Sequence, residues 1–529
     1  MTDHIVIVGG GSAGWMTATT LISQFPQKRI TVIESPRVPI IGVGESTIAS
    51  INSWCNLVGI KDTDFMKFTD ASYKLGIKFT NFYKKDSGSF YYPFGTTDIT
   101  GNMSDRNEWY FKKMKYPDTP TGDYSDCLYP IMALIRQNKL FRNEDNKLNH
   151  FKMNEHTAYH FDATSFGIWL RDVYCKPKGV VHIQAEVVDV ITSEEGVDHL
   201  VLDNGDHVKA DLFIDCTGFK SILLAGAMKE PFVSYEHILP NNSAWATRIP
   251  YTNKREQLVS STECEAIQNG WVWNIPLWSR MGSGYVYSDK FVRDEDALEE
   301  FKSFLKTKNI YRDDLEFKNL KMRIGIHKRL WVKNVCAIGL SAGFIEPLES
   351  SGLYTVHEFL VKLVRTLNRG NGPVSQWDKD AFSSACINQF SKFSEFVALH
   401  YALSHRDDTP YWVANLKKEY CRDFIEQVHT PFSNATELSW FMHAIESRYR
   451  YFHYGNDNSG AHCIFTGMNY FAADRTSLTA YSHPPPSDHD IELRGEHATI
   501  HLNMKKAIWD EIVKNAPILV DFLTPIHQA

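Results

Sequence analysis

Gly9, Gly11 and Gly14 stand in the spacing G-x-G-x-x-G near the start of the chain, directly after four apolar residues, Ile5 to Val8, that read as a buried strand. The first glycine of such a run permits a tight turn, the second lets a pyrophosphate approach the backbone, and the third lets a helix pack close to the sheet. A helix predicted over roughly 15–25 offers free N–H groups and a partial positive charge to phosphate oxygens; Ser12 and Ala13 lie between the turn and that helix. A second strand, 29–33, ends at Glu34, twenty positions after Gly14, where a ribose-binding carboxylate belongs. The glycines alone fit an ordinary turn in an α/β core; strand, helix, second strand and acid in register point to a dinucleotide. A second candidate lies downstream, where Glu346-Pro-Leu-Glu349-Ser350-Ser351-Gly352 leads into a helix predicted from about residue 351. Backbone amides at a helix start can hold an anion without a cationic side chain, although a plain capped helix reads the same way.

The elements that must position these groups follow from periodicity. Residues 72–80 alternate, with Tyr73, Leu75, Ile77 and Phe79 on one face and Lys74, Gly76, Lys78 and Thr80 on the other. That pattern predicts one half-exposed strand with Lys74 on its solvated face. Gly42, Val43, Gly44, Glu45 and Ser46 belong to a polar, glycine-bearing loop. Residues 86–150 are aromatic-rich and carry no assignable element. Strands are predicted over 180–191, 199–202, 207–209, 211–215 and 335–338, with Asn204-Gly205 as a hairpin turn and Gly339 ending the last of them. The helix from 351 has an apolar stripe from Leu353 to Leu367 and is expected to end at Gly370. Beyond residue 375 the pattern is helical, over 381–400, 410–428, 437–449 and 504–522. The expected division is therefore an α/β domain from 1–85 and 151–370, and a mostly helical part from 86–150 and 371–529.

Composition narrows the class. With 43% apolar and 22% charged residues and a net charge of −7, nothing favours nucleic acid or an anionic membrane surface. No run approaches the ~18 apolar residues of a membrane span. The N-terminus lacks the basic segment of a signal peptide. Nine cysteines without C-x-x-C pairs suit reduced thiols and a cytoplasmic setting. The 21 histidines show no metal-ligand spacing, so no metal is expected. Thirteen tryptophans suit a protein that handles aromatic surfaces, or equally one with large aromatic cores.

Several stretches, in order over about 400 residues, resemble the flavin-dependent halogenases of the tryptophan halogenase family: Gly9–Gly14, Gly42-Val-Gly-Glu45-Ser-Thr, Ala71-Ser-Tyr-Lys74, Trp271-Val-Trp273-Asn-Ile-Pro276, Glu346–Gly352 and Arg406–Trp412. The resemblance implies a Rossmann-like FAD-binding domain of the flavin monooxygenase and halogenase type, with a helical substrate-binding part. In that family FADH2 from a separate flavin reductase reacts with O2, and halide is oxidised to hypohalous acid. The oxidant then travels inside the protein to a lysine beside a small aromatic substrate. The cofactor carries the oxidation, and the protein supplies placement and electrostatics.

By this resemblance Lys74 is the lysine. Its ordinary pKa of about 10.4 makes it a cationic donor unless burial lowers it, and a neutral amine would instead form a haloamine. Glu349 is implied as the carboxylate near the ring that takes up the released proton, its plain alternative being a helix-start acid. Ser350 would hydrogen-bond Lys74 or serve as an N-cap. Halide is placed on the amides of Ser351 and Gly352. FAD contacts are implied at Gly9, Gly11, Ser12, Ala13, Gly14, Glu34, Gly42, Val43, Gly44, Glu45, Ser46, Val187, Gly339, Leu340 and Leu353. Tyr92 and Phe94 would line the aromatic site, while Trp271, Trp273 and Pro276 would keep substrate from the flavin. A homo-oligomer is compatible with all of this.

Two rivals differ in chemistry. A flavin-dependent aromatic hydroxylase usually has Gly-Asp after the late strand, where this chain has Gly339-Leu340-Ser341. A catalytically silent FAD-binding protein would not need Lys74 and Glu349 together. The chain departs from the family between Tyr451 and Gly460. Relatives that act on free tryptophan hold the amino acid there with a carboxylate and aromatic residues, and without gaps those places are Tyr451 and Asn456. Glu446 could substitute only if the loop is re-spaced. An indole-like substrate without a free amino-acid group is therefore expected.

Overall fold

In the computed structural model, which describes residues 2–37, 44–98, 104–369, 373–416, 460–469 and 487–528, the apolar start of the chain lies in the middle of a six-stranded sheet. Strand β1 (His4–Val8) pairs in parallel with Leu212–Asp215 on one side. On the other it pairs in parallel with β2 (Arg29–Glu34), while helix α1 (Ser12–Gln24) connects the two. Val181–Gln184 extends the sheet beyond β2, and Val335–Ala337 and Trp331–Val332 extend it beyond Leu212–Asp215. Strands covered on both faces carry unbroken apolar runs, and Ile5, Val6 and Ile7 are fully buried. Helix α1 begins at Ser12 rather than near residue 15, which brings its free amides directly onto the glycine turn.

Four short strands carry the second centre: β3 (Glu45–Ser46), β4 (Ser72–Lys74), β5 (Gly76–Thr80) and β6 (Ser89–Pro93). They are joined by β7 (Ala158–Phe161), the middle strand of a three-stranded sheet between β3 and β4. Strand β5 lies instead in a seven-stranded sheet, between β6 and Ser261–Ala266. The expected single strand over 72–80 therefore breaks at Leu75. The Leu75 N–H donates to the Ser260 carbonyl at 2.6 Å, and the Leu75 carbonyl accepts from the Phe94 N–H at 2.7 Å. Because the segment threads between two sheets, the solvated face assigned to Lys74 does not exist, and Lys74 is fully buried. Lys78, one element later, is paired with Glu263 at 2.9 Å and keeps about a third of its side chain in solvent.

Other boundaries move for similar reasons. Residues 180–191 form two strands, Val181–Gln184 and Val187–Ser193, in different sheets. The join is made at Ala185, whose N–H donates to the Glu34 carbonyl. The hairpin at Asn204-Gly205 forms, with Gly205 at φ +85°. The helix expected over 504–522 is two helices, Asp488–Val513 and Leu519–Gln528. Pro517 lies between them, and a proline has no N–H with which to continue a helix. The helix expected from 381 starts earlier, as Gln376–Ala402, behind a capping box of Ser375 and Asp378. Helix 410–428 is seen as Pro410–Asn415, with Leu416 as its C-cap; 417–428, 437–449 and Gly370 lie outside the described residues.

The unassigned stretch 86–150 holds β6 and the helices Ser104–Lys115, Asp123–Leu128 and Met132–Gln137. These helices meet Asp488–Val513 through Lys115–Glu492 at 2.9 Å and Arg136–Asp510 at 2.6 Å. Partners that distant in sequence leave no local signature. Among the described residues no helix is long and apolar enough to cross a membrane, and no cluster of three or more His, Cys, Asp or Glu could hold a metal ion. The eight described cysteines are free and buried.

Candidate active site

The glycine turn has the shape its spacing predicts. Gly9 adopts φ +113°, and a β-carbon there would stand 2.2 Å from the Cys216 carbonyl oxygen. A β-carbon on Gly14 would stand 1.8 Å from the Gly9 oxygen. One on Gly11 would meet nothing within 4 Å, so the outer side of the turn is open where a pyrophosphate must approach. Gly11 is the N-cap of α1, no side chain caps that helix, and its first turn holds no acid. Glu34 lies over Gly10, whose β-carbon would fall 2.2 Å from Glu34 Cδ. One carboxylate oxygen of Glu34 is 2.8 Å from His182 Nε2, and Arg171 stands 3.8 Å away. Gly339, at φ +75°, sits against the start of α1, 2.7 Å from Ala13 Cβ as measured from its own missing Cβ, with Leu340 in the same short turn. Val187 begins the strand two residues after the Ala185 contact with Glu34. Open turn, uncapped amides and an adjacent carboxylate are a donor set that fits a dinucleotide. Gly42 and Val43 lie outside the described residues.

The second centre surrounds Lys74. Its Nζ donates to Ser350 Oγ at 2.7 Å and stands 5.1 Å from the centre of the Phe94 ring. Burial lowers the Lys74 ammonium to about 7, against the opposing pull of Glu349, Cys264 and Glu45. Ser350 adopts φ +58°, outside the helix, so it is not the N-cap expected as its alternative role. Ser351 is the N-cap of Gly352–Leu367, with its own hydroxyl turned back to the carbonyls of Ile345 and Glu346. The amides at this helix start thus have no side-chain cap, and the first turn holds no acid of its own. Leu353 is buried in that first turn.

Glu349 is not a helix-start acid. It ends the short turn Pro347–Glu349 and points to His400 on Gln376–Ala402, with Oε1 2.9 Å from His400 Nε2. The two atoms are at ion-pair distance but are not aligned as a hydrogen bond. His400 is fully buried, with its ring 4.7 Å from that of Phe79. A lone histidine on a helix gave no sequence signal for this contact. Glu45 approaches from β3, and a β-carbon on Gly352 would stand 2.6 Å from its Oε1. Enclosure of that carboxylate pushes it up to about 7, partly offset by Lys74, although part of the Glu45 side chain reaches the surface. Glu346, the first acid of its motif, accepts from the Tyr401 hydroxyl and is likewise raised by burial to about 7.

The aromatic residues expected at the site form two pairs. Tyr92 and Phe94 meet edge to face at 5.9 Å, and Gly460 is seated so closely that a β-carbon would stand 2.6 Å from Tyr92 Cζ. Trp271 and Trp273 lie on Gly270–Pro276 with ring centres 6.3 Å apart, and both are buried. Pro276 ends that strand, and its carbonyl accepts from the Ser72 hydroxyl, two residues before Lys74. A surface cavity of about 520 Å³ beside Asp294–Thr307 shares no residue with this centre. The late-chain places Glu446, Tyr451 and Asn456 lie outside the described residues.

Residues 4–480 match the family model described as tryptophan halogenase. The tryptophan 6-halogenase ThaL of Streptomyces albogriseolus is 30% identical over 550 residues, covering 99% of this chain and 98% of its own length. Among solved structures, the VirX1 apo structure superposes with a TM-score of 0.85 at 37% identity, covering 99% of this chain and 98% of that one. Tar14, a tryptophan C-6 flavin-dependent halogenase (chlorinase) from taromycin biosynthesis, does so with a TM-score of 0.82 at 28% identity over 100% of each chain.

Proposed function

From the premise that this chain belongs to the tryptophan halogenase family, we propose that it uses FADH2, O2 and halide to halogenate an electron-rich, indole-like ring, with Lys74 delivering the halogen. It is a flavin-dependent halogenase, and the flavin comes reduced from a separate reductase. The observation that carries the reading is the convergence on one buried amine of a hydroxyl, an aromatic ring and two carboxylates.

When bound, the reduced flavin would supply the two electrons that bring O2 to the peroxide oxidation level, at which it takes two more from halide to give hypohalous acid and water. The Gly9–Gly14 turn, the start of α1 and Glu34 hold the dinucleotide, with Gly339 and Leu340 beside them. The amides of Ser351 and Gly352 hold the halide. The Lys74 ammonium donates to the oxygen of hypohalous acid and makes the halogen more electrophilic. Ring electrons form the carbon–halogen bond as the halogen–oxygen bond breaks. The departing oxygen leaves as water with a proton from Lys74. Glu349 takes the proton lost from the ring carbon, and its return to Lys74 restores both groups. Phe94 and Tyr92 face the ring, while Trp271, Trp273 and Pro276 wall it off from the flavin. The nucleotide-binding unit is 1–85 with 151–370, and the substrate-binding part is 86–150 with 371–529.

Enzyme, a flavin reductase, NADH, FAD and bromide incubated with a panel of indoles, read by mass spectrometry, test this reading. A brominated indole is expected. A hydroxylated product, or flavin turnover with no product, contradicts it.

A further inference from the structure

Lys74 is one end of a longer buried chain of hydrogen bonds whose direction is set at the other end. Ser72 donates its one hydroxyl proton to the carbonyl of Pro276, which can only accept. Ser72 Oγ, 3.2 Å from His160 Nδ1, is then left as an acceptor, and the His160 ring also hydrogen-bonds the Pro276 backbone, so Nδ1 carries the ring proton. His160 is fully buried, and enclosure together with the nearby Lys74 charge keeps its ring neutral. With the proton on Nδ1, Nε2 is an acceptor for the Thr262 hydroxyl at 2.8 Å. Thr262 in turn accepts from Ser46 at 2.7 Å, and Ser46 accepts from Ser350 at 3.1 Å. The Ser350 proton is thereby committed, so the oxygen that faces Lys74 at 2.7 Å can only accept. The register makes this possible: His160 on β7 lies opposite Ser46 on β3 and Ser72 on β4.

We propose that Thr262 and His160 are positioning residues for halogen transfer: they lock the direction of the Pro276–Ser72–His160–Thr262–Ser46–Ser350 chain so that Lys74 is held as a donor. This rests on the reading of Lys74 as the halogen-delivering residue, but its physical content does not. An acceptor facing Lys74 favours the ammonium over the amine. If Thr262 loses its hydroxyl, Ser46 loses its acceptor, Ser350 can turn its proton toward Lys74, and the neutral amine gains. The other groups that face Lys74 are unchanged by that substitution: Glu45 from β3, Glu349 before the Gly352 helix with His400 behind it, and Cys264 on the strand of Thr262. Thr262→Val keeps the shape and removes the hydroxyl, and Thr262→Ser keeps the hydroxyl.

The test uses full-length, ligand-free protein labelled with [ε-13C]lysine, with the Lys74 resonance assigned by its loss in Lys74→Met. The expected titration midpoint of Lys74 falls by about half a pH unit or more in Thr262→Val, and stays at the wild-type value in Thr262→Ser. Ser46→Ala, which cuts the same chain from another strand, shifts it in the same direction and serves if Thr262→Val does not fold. Unchanged midpoints in Thr262→Val and Ser46→Ala, or equal shifts in the two Thr262 variants, overturn the proposal. With flavin reductase and bromide added, the fraction of oxidised FADH2 recovered as bromoindole falls in Thr262→Val and returns in Thr262→Ser. No bromoindole from the wild-type protein, with the midpoint shift present in Thr262→Val and Ser46→Ala, refutes the functional reading and leaves the locked chain standing.

Discussion

Glu45 lays its carboxylate against the backbone of Gly352, so close that a β-carbon there would stand 2.6 Å from Oε1. A resident carboxylate thus lies at the helix start where the halide is proposed to bind. Glu45 is raised to about 7, so it is neutral below that pH and anionic above it. Lys74, lowered to about 7, loses its positive charge over the same range. Both changes oppose an anion, so bromide affinity is expected to weaken as pH rises through about 7. Glu45→Gln removes one of the two contributions and flattens the profile. Bromide titrations at pH 6 and 8, with anomalous density sought at the Ser351 and Gly352 amides, check this; density only beside other groups contradicts it.

Lys74 should also cost the fold stability. Its folded pKa lies below the unfolded value of about 10.4, so the folded state resists the proton that the unfolded chain holds. The penalty is full below about pH 7 and relaxes as pH rises toward 10. Replacing Lys74 by Met is therefore expected to shift Tm more favourably at pH 6 than at pH 10, by a few degrees. Thermal melts of both proteins at the two pH values decide it, and an equal shift at both counts against a depressed Lys74.

Gly11 offers a clean test of the dinucleotide site, because a side chain there meets open space in the protein itself. Gly11→Val is expected to keep its Tm and to lose FAD affinity by ~100-fold or more, equivalent to ~2.7 kcal/mol of blocked approach. Equilibrium binding of FAD to the variant measures this. Gly10→Ala, which would press on Glu34, is expected to weaken binding and also to lower Tm.

Much of this was legible in local sequence. The glycine turn, β1, β2 and Glu34 are close together in the chain, and the spacing of their residues reflects one compact unit. Lys74 was legible as a candidate but not as a buried group. Alternation describes two faces of a strand and does not say whether both are covered, and here a break at Leu75 sends the chain between two sheets. His400 and His160 gave no signal, since their partners Glu349 and Thr262 lie 51 and 102 positions away. Gly10 carries no signal in the motif, which admits any residue there, whereas in the fold the Glu34 side chain lies across it and would have to move for a β-carbon.

The substrate prediction rests on the late-chain departures. A tryptophan ammonium buried without a carboxylate partner would lose several kcal/mol. Indole or a related ring without an amino-acid group is expected to have the higher kcat/KM. A clear preference for L-tryptophan, lost on Glu446→Gln, would show that a re-spaced carboxylate anchors the amino acid.

The most direct measurement compares Lys74→Ala with Lys78→Ala under reductase, NADH, FAD and bromide, following both the oxidation of reduced flavin and bromoindole. Lys78 is the control, since it pairs with Glu263 in a partly solvated position on the next strand. Lys74→Ala is expected to oxidise reduced flavin at an undiminished rate while forming at least ~100-fold less bromoindole, a loss of ~2.7 kcal/mol in transition-state stabilisation. Lys78→Ala is expected to retain most of its product. Bromoindole formed at the wild-type rate by Lys74→Ala, or an equal loss in both variants, would contradict delivery of the halogen by Lys74.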